Sequence, residues 1–288
     1  MSYAFFPGCS MEGTAHDYQS SSLAVSQTLG LKMPEVPGWT CCGSTAAHQS
    51  DPLLALALPA KNLLAAAGTP VAVGCASCYN RLKTANHHIA RDNETRKQVA
   101  AVLGADYDGK TQVVHLLEIL ARDVGVAKIA KHVCHPLRGL KVVPYYGCLL
   151  SRPPEVTQFD DPENPTLMDQ ILEAAGATVV TWPHKTECCG AGYSITDASV
   201  VRRLTREILV MAKAAGADCI ATACPLCQLN LDLRQQDTEK EAGEHFGLPV
   251  FYFTQLLGLA FGIPRKKLGL RSLVVSPSKL LADRGIPV

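Results

Sequence analysis

Ten of the twelve cysteines in this 288-residue chain fall into two matching sets. The first is Cys9, Cys41, Cys42, Cys75 and Cys78; the second is Cys148, Cys188, Cys189, Cys224 and Cys227. Each set reads Gly-Cys, then Cys-Cys-Gly, then Cys-x-x-Cys. The intervals are 31 and 32 residues in the first set and 39 and 34 in the second. Structural disulfides are rare in a reducing compartment, so this richness points to metal or redox chemistry. A structural zinc site is complete with four ligands, commonly two Cys-x-x-Cys pairs. Here each set has one such pair plus two adjacent cysteines, whose side chains diverge. That arrangement suits two irons of a polynuclear centre better than one zinc, and thiolate-rich sites select iron–sulfur clusters. Five thiolates exceed what an ordinary cubane takes, and the ferredoxin run C-x2-C-x2-C-x3-C-P is absent.

The surroundings repeat with the cysteines. Thr40-Cys41-Cys42-Gly43 answers Glu187-Cys188-Cys189-Gly190. Val71-Ala72-Val73-Gly74-Cys75 answers Ile220-Ala221-Thr222-Ala223-Cys224. Val114-His115-Leu116-Leu117 is matched with Thr254-Gln255-Leu256-Leu257. A period of about 140–149 residues is too long for a solenoid and means two similar domains, one site in each. Cys219, in an apolar run, reads as a small core residue. Cys134, near His132 and His135, lacks a second ligand pair.

Short β-rich runs lead into cysteines: residues 3–6 into Cys9, 70–73 into Cys75, 141–146 into Cys148 and 219–222 into Cys224. Helical patterns lie between them, at 14–29, 52–67, 79–103, 166–175, 197–215 and 225–245. Glycines such as Gly30, Gly68, Gly176 and Gly216 stop these helices. Strands alternating with helices predict a parallel α/β sheet in each half. Ligands of such sheets bind beyond the carboxyl ends of the strands, where these cysteines fall. The segment 121–140, rich in Lys, His and Gly, places the boundary near 139, giving domains 1–138 and 139–288.

Lys plus Arg is 27 against 26 for Asp plus Glu, so no concentrated basic face argues for nucleic acid. The longest apolar stretch, 248–263, is 16 residues and interrupted, short of a bilayer span. The first basic residue is Lys32, unlike a secretory signal. The expectation is a cytoplasmic protein. Basic residues Arg265, Lys266 and Lys267 read as a solvated segment or a docking patch for a partner subunit.

With both five-cysteine sets in place, the chain resembles the B subunit of heterodisulfide reductase, built from two CCG cysteine-rich domains. The resemblance covers nearly the whole chain, including Tyr145-Tyr146-Gly147-Cys148-Leu149-Leu150-Ser151-Arg152-Pro153 and Thr254-Gln255-Leu256-Leu257-Gly258-Leu259. It implies two duplicated Rossmann-like CCG domains related by a pseudo-twofold axis. It also implies two noncubane [4Fe-4S] clusters on the ten cysteines, with a disulfide cleaved reductively between them. The implied partners are a ferredoxin-like C subunit with cubane [4Fe-4S] clusters and a flavin-containing A subunit. The implied substrate is a small disulfide or a lipoyl-type thiol. The alternative is an electron-relay subunit of another oxidoreductase complex, for sulfur oxidation with lipoyl-bound sulfur or for lactate or glycolate-type oxidation. His48 and His184 stand near ligand cysteines as candidate proton donors, since histidine titrates near neutrality. His16, Tyr146 and Tyr193 also lie near the motifs but read first as structural residues.

Overall fold

The computed structural model describes residues 2–44 and 47–287. Two separate sheets, parallel throughout, carry the named strands. β1 (Ala4–Phe6), β2 (Val71–Val73) and β3 (Val113–His115) lie side by side in that order. In the second sheet β4 (Lys141–Tyr145), β5 (Thr178–Val179), β6 (Cys219–Thr222) and β7 (Val250–Tyr252) run in the order β5-β4-β6-β7. Isolated parallel bridges Ser2–Lys32 and Phe5–Glu35 place an extended segment beside β1, as β5 lies beside β4. The α/β class with parallel sheets expected from the sequence is the one observed. The central strands are buried along their length, which is why they read as near-continuous apolar runs rather than alternating ones.

The helices follow their caps. Asp51 accepts from Leu54 N ahead of Pro52–Ala65, and Asp197 accepts from Ser199 N and Val200 N ahead of Ala198–Ala214. The expected helix 79–103 is two helices, Ala76–Arg91 and Asn93–Leu103. Asp92 adopts an extended backbone and caps the second through Glu94 N and Thr95 N. The expected helix 225–245 likewise divides at Arg234 into Pro225–Leu233 and Gln235–Ala242.

β3, β5 and β7 are not among the strand runs that the sequence pattern marks. β3 and β7 run straight into helices, so strand and helix merge into one apolar stretch. The capping boxes His115/Glu118 and Tyr252/Gln255 mark the change of state. They also correct the repeat register. His115 pairs with Val73 and Tyr252 with Thr222, each two residues before the first cysteine of a Cys-x-x-Cys. His115 therefore answers Tyr252, and the match of 114–117 with 254–257 is displaced by three residues, about one helical turn. Apolar pairs recur every turn, so they alone do not fix the register.

The halves exchange their trailing segments. After β3 the chain passes through Leu116–Glu118 and Ile119–Gly125 to the helix Val126–His132, which packs on Leu167–Ala174 of the second half. After β7, Phe253–Ala260 and Arg265–Leu268 pack on His16–Thr28 of the first half. Ser21 Oγ and Thr254 Oγ1 are 2.8 Å apart there, and Ser20 Oγ donates to Lys267 O at 2.7 Å. The segment 121–140 that marks the domain boundary thus includes a helix, Val126–His132, built against the other half.

The two strand ends meet at the centre. Fully buried Tyr18 brings its hydroxyl 3.0 Å from Gly74 O and 3.5 Å from Ala223 O, the carbonyls just before Cys75 and Cys224. Its ring stacks on Tyr252 with centroids 4.1 Å apart. His115 accepts from Leu117 N on Nδ1, which leaves Nε2–H to donate to Gly74 O at 2.9 Å. On the opposite side Tyr79 packs edge-on against His115 and donates to Thr157 O of the second half at 3.0 Å. Tyr18 and Thr157 each lie nine residues after the first cysteine of their set. Equivalent positions thus reach across the junction from both halves, though to different partners.

Truncating the junction removes a buried aromatic and a shared donor. Tyr18→Ala should cost about 3–5 kcal/mol of unfolding free energy, measured by denaturant titration. Burial pushes the pKa of His115 down to about 4, so the native state holds it neutral while the unfolded chain takes up a proton below the ordinary value of 6.5. The contribution of His115 is therefore present above about pH 6.5 and declines as pH falls toward 4. Wild type should lose stability relative to His115→Gln over that window. A pH-independent difference between the two unfolding curves would count against this.

Candidate metal centre

In an open parallel sheet the crevice opens where successive connections leave in opposite directions. Here that point lies between β1 and β2 in one half and between β4 and β6 in the other. Cys9 follows β1 on the short helix Gly8–Glu12, and Cys148 follows β4. Cys75 and Cys224 occupy the N-cap positions of Ala76–Arg91 and Pro225–Leu233, with Cys78 and Cys227 in the first turns. A helix N-terminus favours negative charge, so these thiols enter a field that suits thiolate. The Cys-Cys-Gly segments arrive at the same rim from the loops.

The sulfurs gather as neighbours. Cys9 and Cys41 Sγ lie 3.8 Å apart, Cys42 and Cys78 Sγ 3.3 Å, and Cys189 and Cys227 Sγ 3.7 Å. Cys148 and Cys188 interact in the same way, and Cys75 and Cys224 interact across the junction of the halves. The structure therefore brings together the cysteines of each set singled out from the sequence, with the two sets adjoining where Gly74 and Ala223 share the Tyr18 hydroxyl. Among the described residues no three His, Cys, Asp or Glu side chains are arranged to hold a single metal ion.

Glycine makes the room. Gly8 and Gly147 have φ of +66° and +67°, and a Cβ on either would sit 2.9 Å from Cys78 or Cys227 Sγ. The close approach and the left-handed backbone both exclude a side chain. Soft donors crowded around side-chain-free backbone fit a sulfur-rich polynuclear group.

Each set is buried at one end and open at the other. Cys42, Cys75, Cys78, Cys189, Cys224 and Cys227 are buried; Cys9, Cys41 and Cys188 are exposed and Cys148 is half-buried. Hydrogen bonding from Cys41 and Cys78 pulls the Cys42 pKa down to about 4, and the bond with Cys148 pulls Cys188 down to about 6. The partners Cys41 and Cys148 move up correspondingly.

A buried ion pair supports the second set. Lys185 Nζ lies 2.6 Å from Asp169 Oδ1, and Tyr146 Oη donates to Asp169 Oδ2 at 2.5 Å. The Lys185 carbonyl accepts from Tyr146 N at 2.8 Å and Gly147 N at 3.1 Å. One residue thus ties the approach to Cys148 to the approach to Cys188, and the structural reading of Tyr146 holds. Tyr145 Oη donates to Glu187 O at 2.6 Å, just before the Cys-Cys-Gly.

The histidines are less engaged. His48 is exposed on Ala47–Ser50, and His16 is exposed at the start of its helix. His184 is half-buried and stacks on Trp182, and its Nδ1 is buried with no hydrogen-bond partner. Neither His48 nor His184 hydrogen-bonds to a cysteine among the described residues. Tyr193 is exposed. Sequence reasoning passed over Tyr18, His115, Arg81 and Asn230. A residue-by-residue overlay of the two repeats would have marked the last two, three positions after each Cys-x-x-Cys.

Comparison with known proteins agrees with this geometry. The family model described as "Cysteine-rich domain" (CCG) matches twice, at residues 3–83 and 142–232. The chain is 36% identical over 283 residues to the 8-methylmenaquinol:fumarate reductase membrane anchor subunit of Wolinella succinogenes, covering 96% of this chain and 98% of that one. It is 30% identical to the B subunit of the ferredoxin/F(420)H(2)-dependent CoB-CoM heterodisulfide reductase of Methanosarcina acetivorans, covering 97% and 95%. A crystal structure of a hypothetical protein from Helicobacter pylori matches with a TM-score of 0.74 at 12% identity. That match covers 96% of this chain but 52% of the other, and at such identity it speaks for the fold alone. Two matched cysteine-rich domains and relatives aligned over nearly the full length place the chain in the CCG cysteine-rich domain family, beside the B subunits of heterodisulfide reductases.

Proposed function

We propose that this chain is the catalytic iron–sulfur subunit of a cytoplasmic heterodisulfide reductase-like complex. In this reading Cys9, Cys41, Cys42, Cys75 and Cys78 hold one noncubane [4Fe-4S] cluster, and Cys148, Cys188, Cys189, Cys224 and Cys227 hold the other. The carrying observation is the convergence of the two five-cysteine sets at one junction, where the carbonyls just before Cys75 and Cys224 face the same Tyr18 hydroxyl. A relay needs its centres in series. Two equivalent centres meeting at one junction also suit a substrate with two equivalent atoms, and a disulfide has two.

The reaction is RSSR′ + 2e⁻ + 2H⁺ → RSH + R′SH, reversible with thiols as donors. Bound clusters supply the two one-electron steps. The chain's own residues do the rest. Six buried cysteines keep water from the inner ends of both sites, while Cys9, Cys41, Cys148 and Cys188 leave the outer ends accessible. Asn230 Nδ2 donates to Cys189 O at 3.0 Å, and Lys185 fixes Gly147, so the second set is held in place without its metal. Of the two histidines, His184 is the better proton carrier, with an unpaired Nδ1 on the segment leading into Cys188. Electrons come from partners, a ferredoxin-like C subunit with cubane clusters and a flavin-containing A subunit. The substrate is a small disulfide or a lipoyl-type thiol.

A second reading is favoured by one observation. The 36% identical relative carries the name of a membrane anchor subunit of a quinol:fumarate reductase. By analogy this chain would relay electrons with no substrate of its own. No helix among the described residues is long and apolar enough to cross a membrane.

Anaerobically loaded protein should carry about eight irons and matching acid-labile sulfide per chain, four for each cluster. Gly147→Val should halve that content, because its side chain meets Cys227 Sγ. Zinc near two per chain without sulfide contradicts the cluster assignment. Adding small disulfides or lipoyl proteins to the loaded chain should change its EPR spectrum. Cys42→Ala and Cys189→Ala should each abolish disulfide turnover while one cluster survives. An unchanged spectrum, with electron transfer between partners intact, leaves the relay reading.

A further inference from the structure

The duplication allows the two sites to be compared position by position, and they differ in charge. Three residues after each Cys-x-x-Cys stands Arg81 in the first half and Asn230 in the second. They occupy the same place on equivalent helices, Ala76–Arg91 and Pro225–Leu233. Asn230 is buried and employed. Its Nδ2 donates to Cys189 O at 3.0 Å and lies 3.8 Å from Cys189 Sγ, while its Oδ1 accepts from Ser194 Oγ at 3.1 Å. Arg81 lies one turn after Cys78 on the same helix, Cys78 Sγ is 3.3 Å from Cys42 Sγ, and the guanidinium charge acts on Cys42, the counterpart of Cys189. The Arg81 Nε is buried without a hydrogen-bond partner, and no carboxylate pairs with its guanidinium among the described residues.

A second difference has the same sign. Just before the Cys-Cys-Gly, the first half has neutral Thr40 and the second has Glu187, whose carboxylate acts on Cys188. At these two positions the first site gains a cation and the second an anion; of the differences with the opposite sign, Arg152, which answers Gly13, is paired with Glu163 at 2.9 Å, and Glu12, which answers Ser151, is exposed. An N–H donor left unpaired in a partly buried place is costly unless something negative completes it. Thiolate-ligated iron–sulfur clusters carry negative charge on their sulfurs. Their potentials respond to net charge and to hydrogen bonds on those sulfurs. A nearby cation stabilises the reduced, more negative state, and a nearby carboxylate opposes it.

We infer that Arg81 and Glu187 make the two sites unequal, so that the site of Cys9, Cys41, Cys42, Cys75 and Cys78 is reduced at the higher potential and stores the first electron. This rests on the proposal that both cysteine sets hold clusters. Arg81 is a positioning and tuning residue, acting on the site through charge and through its free Nε–H. The inequality gives an order to two electrons that a symmetric pair would lack.

The test is an EPR-monitored redox titration of the anaerobically loaded full chain and three variants. Wild type should show two separate reduction steps. Arg81→Gln should move the higher step to lower potential and leave the lower step in place. Arg81→Lys, which keeps the charge but loses the Nε–H, should fall between them. Asn230→Arg should raise the lower step toward the higher one. If Arg81→Gln loses its iron, the other two variants decide. Loaded variants with unmoved steps, or with only the lower step moved by changes at Arg81, overturn the inference. A wild-type chain that takes up no iron and sulfide overturns the cluster reading instead, and iron and sulfide content separates the two failures.

Discussion

The structure turns on the place where two strand ends are held back to back. β2 ends at Val73 and β6 at Thr222, and one residue later the Gly74 and Ala223 carbonyls face the same tyrosine hydroxyl. A phenol has one proton to give, so the shorter bond goes to Gly74, and the hydroxyl can favour one carbonyl only at the other's expense. Around this point everything is buried, which makes an unmade bond expensive and a misplaced carbonyl costly to keep. Cys75 and Cys224 follow immediately, so the spacing between the two cysteine sets is inherited from this junction. The trailing segment after β7 clamps it from outside through Ser21–Thr254 and Ser20–Lys267, and Tyr79–Thr157 adds a further bond between the halves.

Much of this is legible in the chain itself, for a physical reason. Clustered cysteines are conspicuous by type and by spacing, and a parallel strand buried on both faces leaves an unbroken apolar run. The α/β class, the duplication and the convergence of ten sulfurs all follow from those two signals. Other features do not show. β3 and β7 are three residues long and continue into helices without a break in hydrophobicity, so only the N-cap partners Glu118 and Gln255 reveal the change. Asp92 reads as one polar residue within a helical pattern, yet its side chain begins a second helix where the first has ended. The packing of 116–132 and 253–270 onto opposite halves is a long-range fact that no local pattern carries.

The duplication also shows where the halves have drifted apart. Phe6 and Tyr145 occupy the same strand position, two residues before the Gly-Cys glycine, and Tyr145 adds a hydroxyl that pins the Glu187 carbonyl. The second half anchors its loops with Lys185–Asp169 and Asn230, whereas the first leaves Arg81 with an unpaired donor. Two sites with the same ligands and different polar surroundings can hold the same group with different electron affinity. Symmetry places them together, and its local breaking distinguishes them.

The central claim is that both cysteine sets hold clusters and that these sit side by side at the junction. Its most direct test is the EPR spectrum of the doubly reduced full chain beside those of Cys42→Ser and Cys189→Ser, each keeping one intact site. Adjacent paramagnetic centres interact, so the account predicts a wild-type spectrum broadened and split relative to the sum of the two variant spectra. A wild-type spectrum equal to that sum would contradict it.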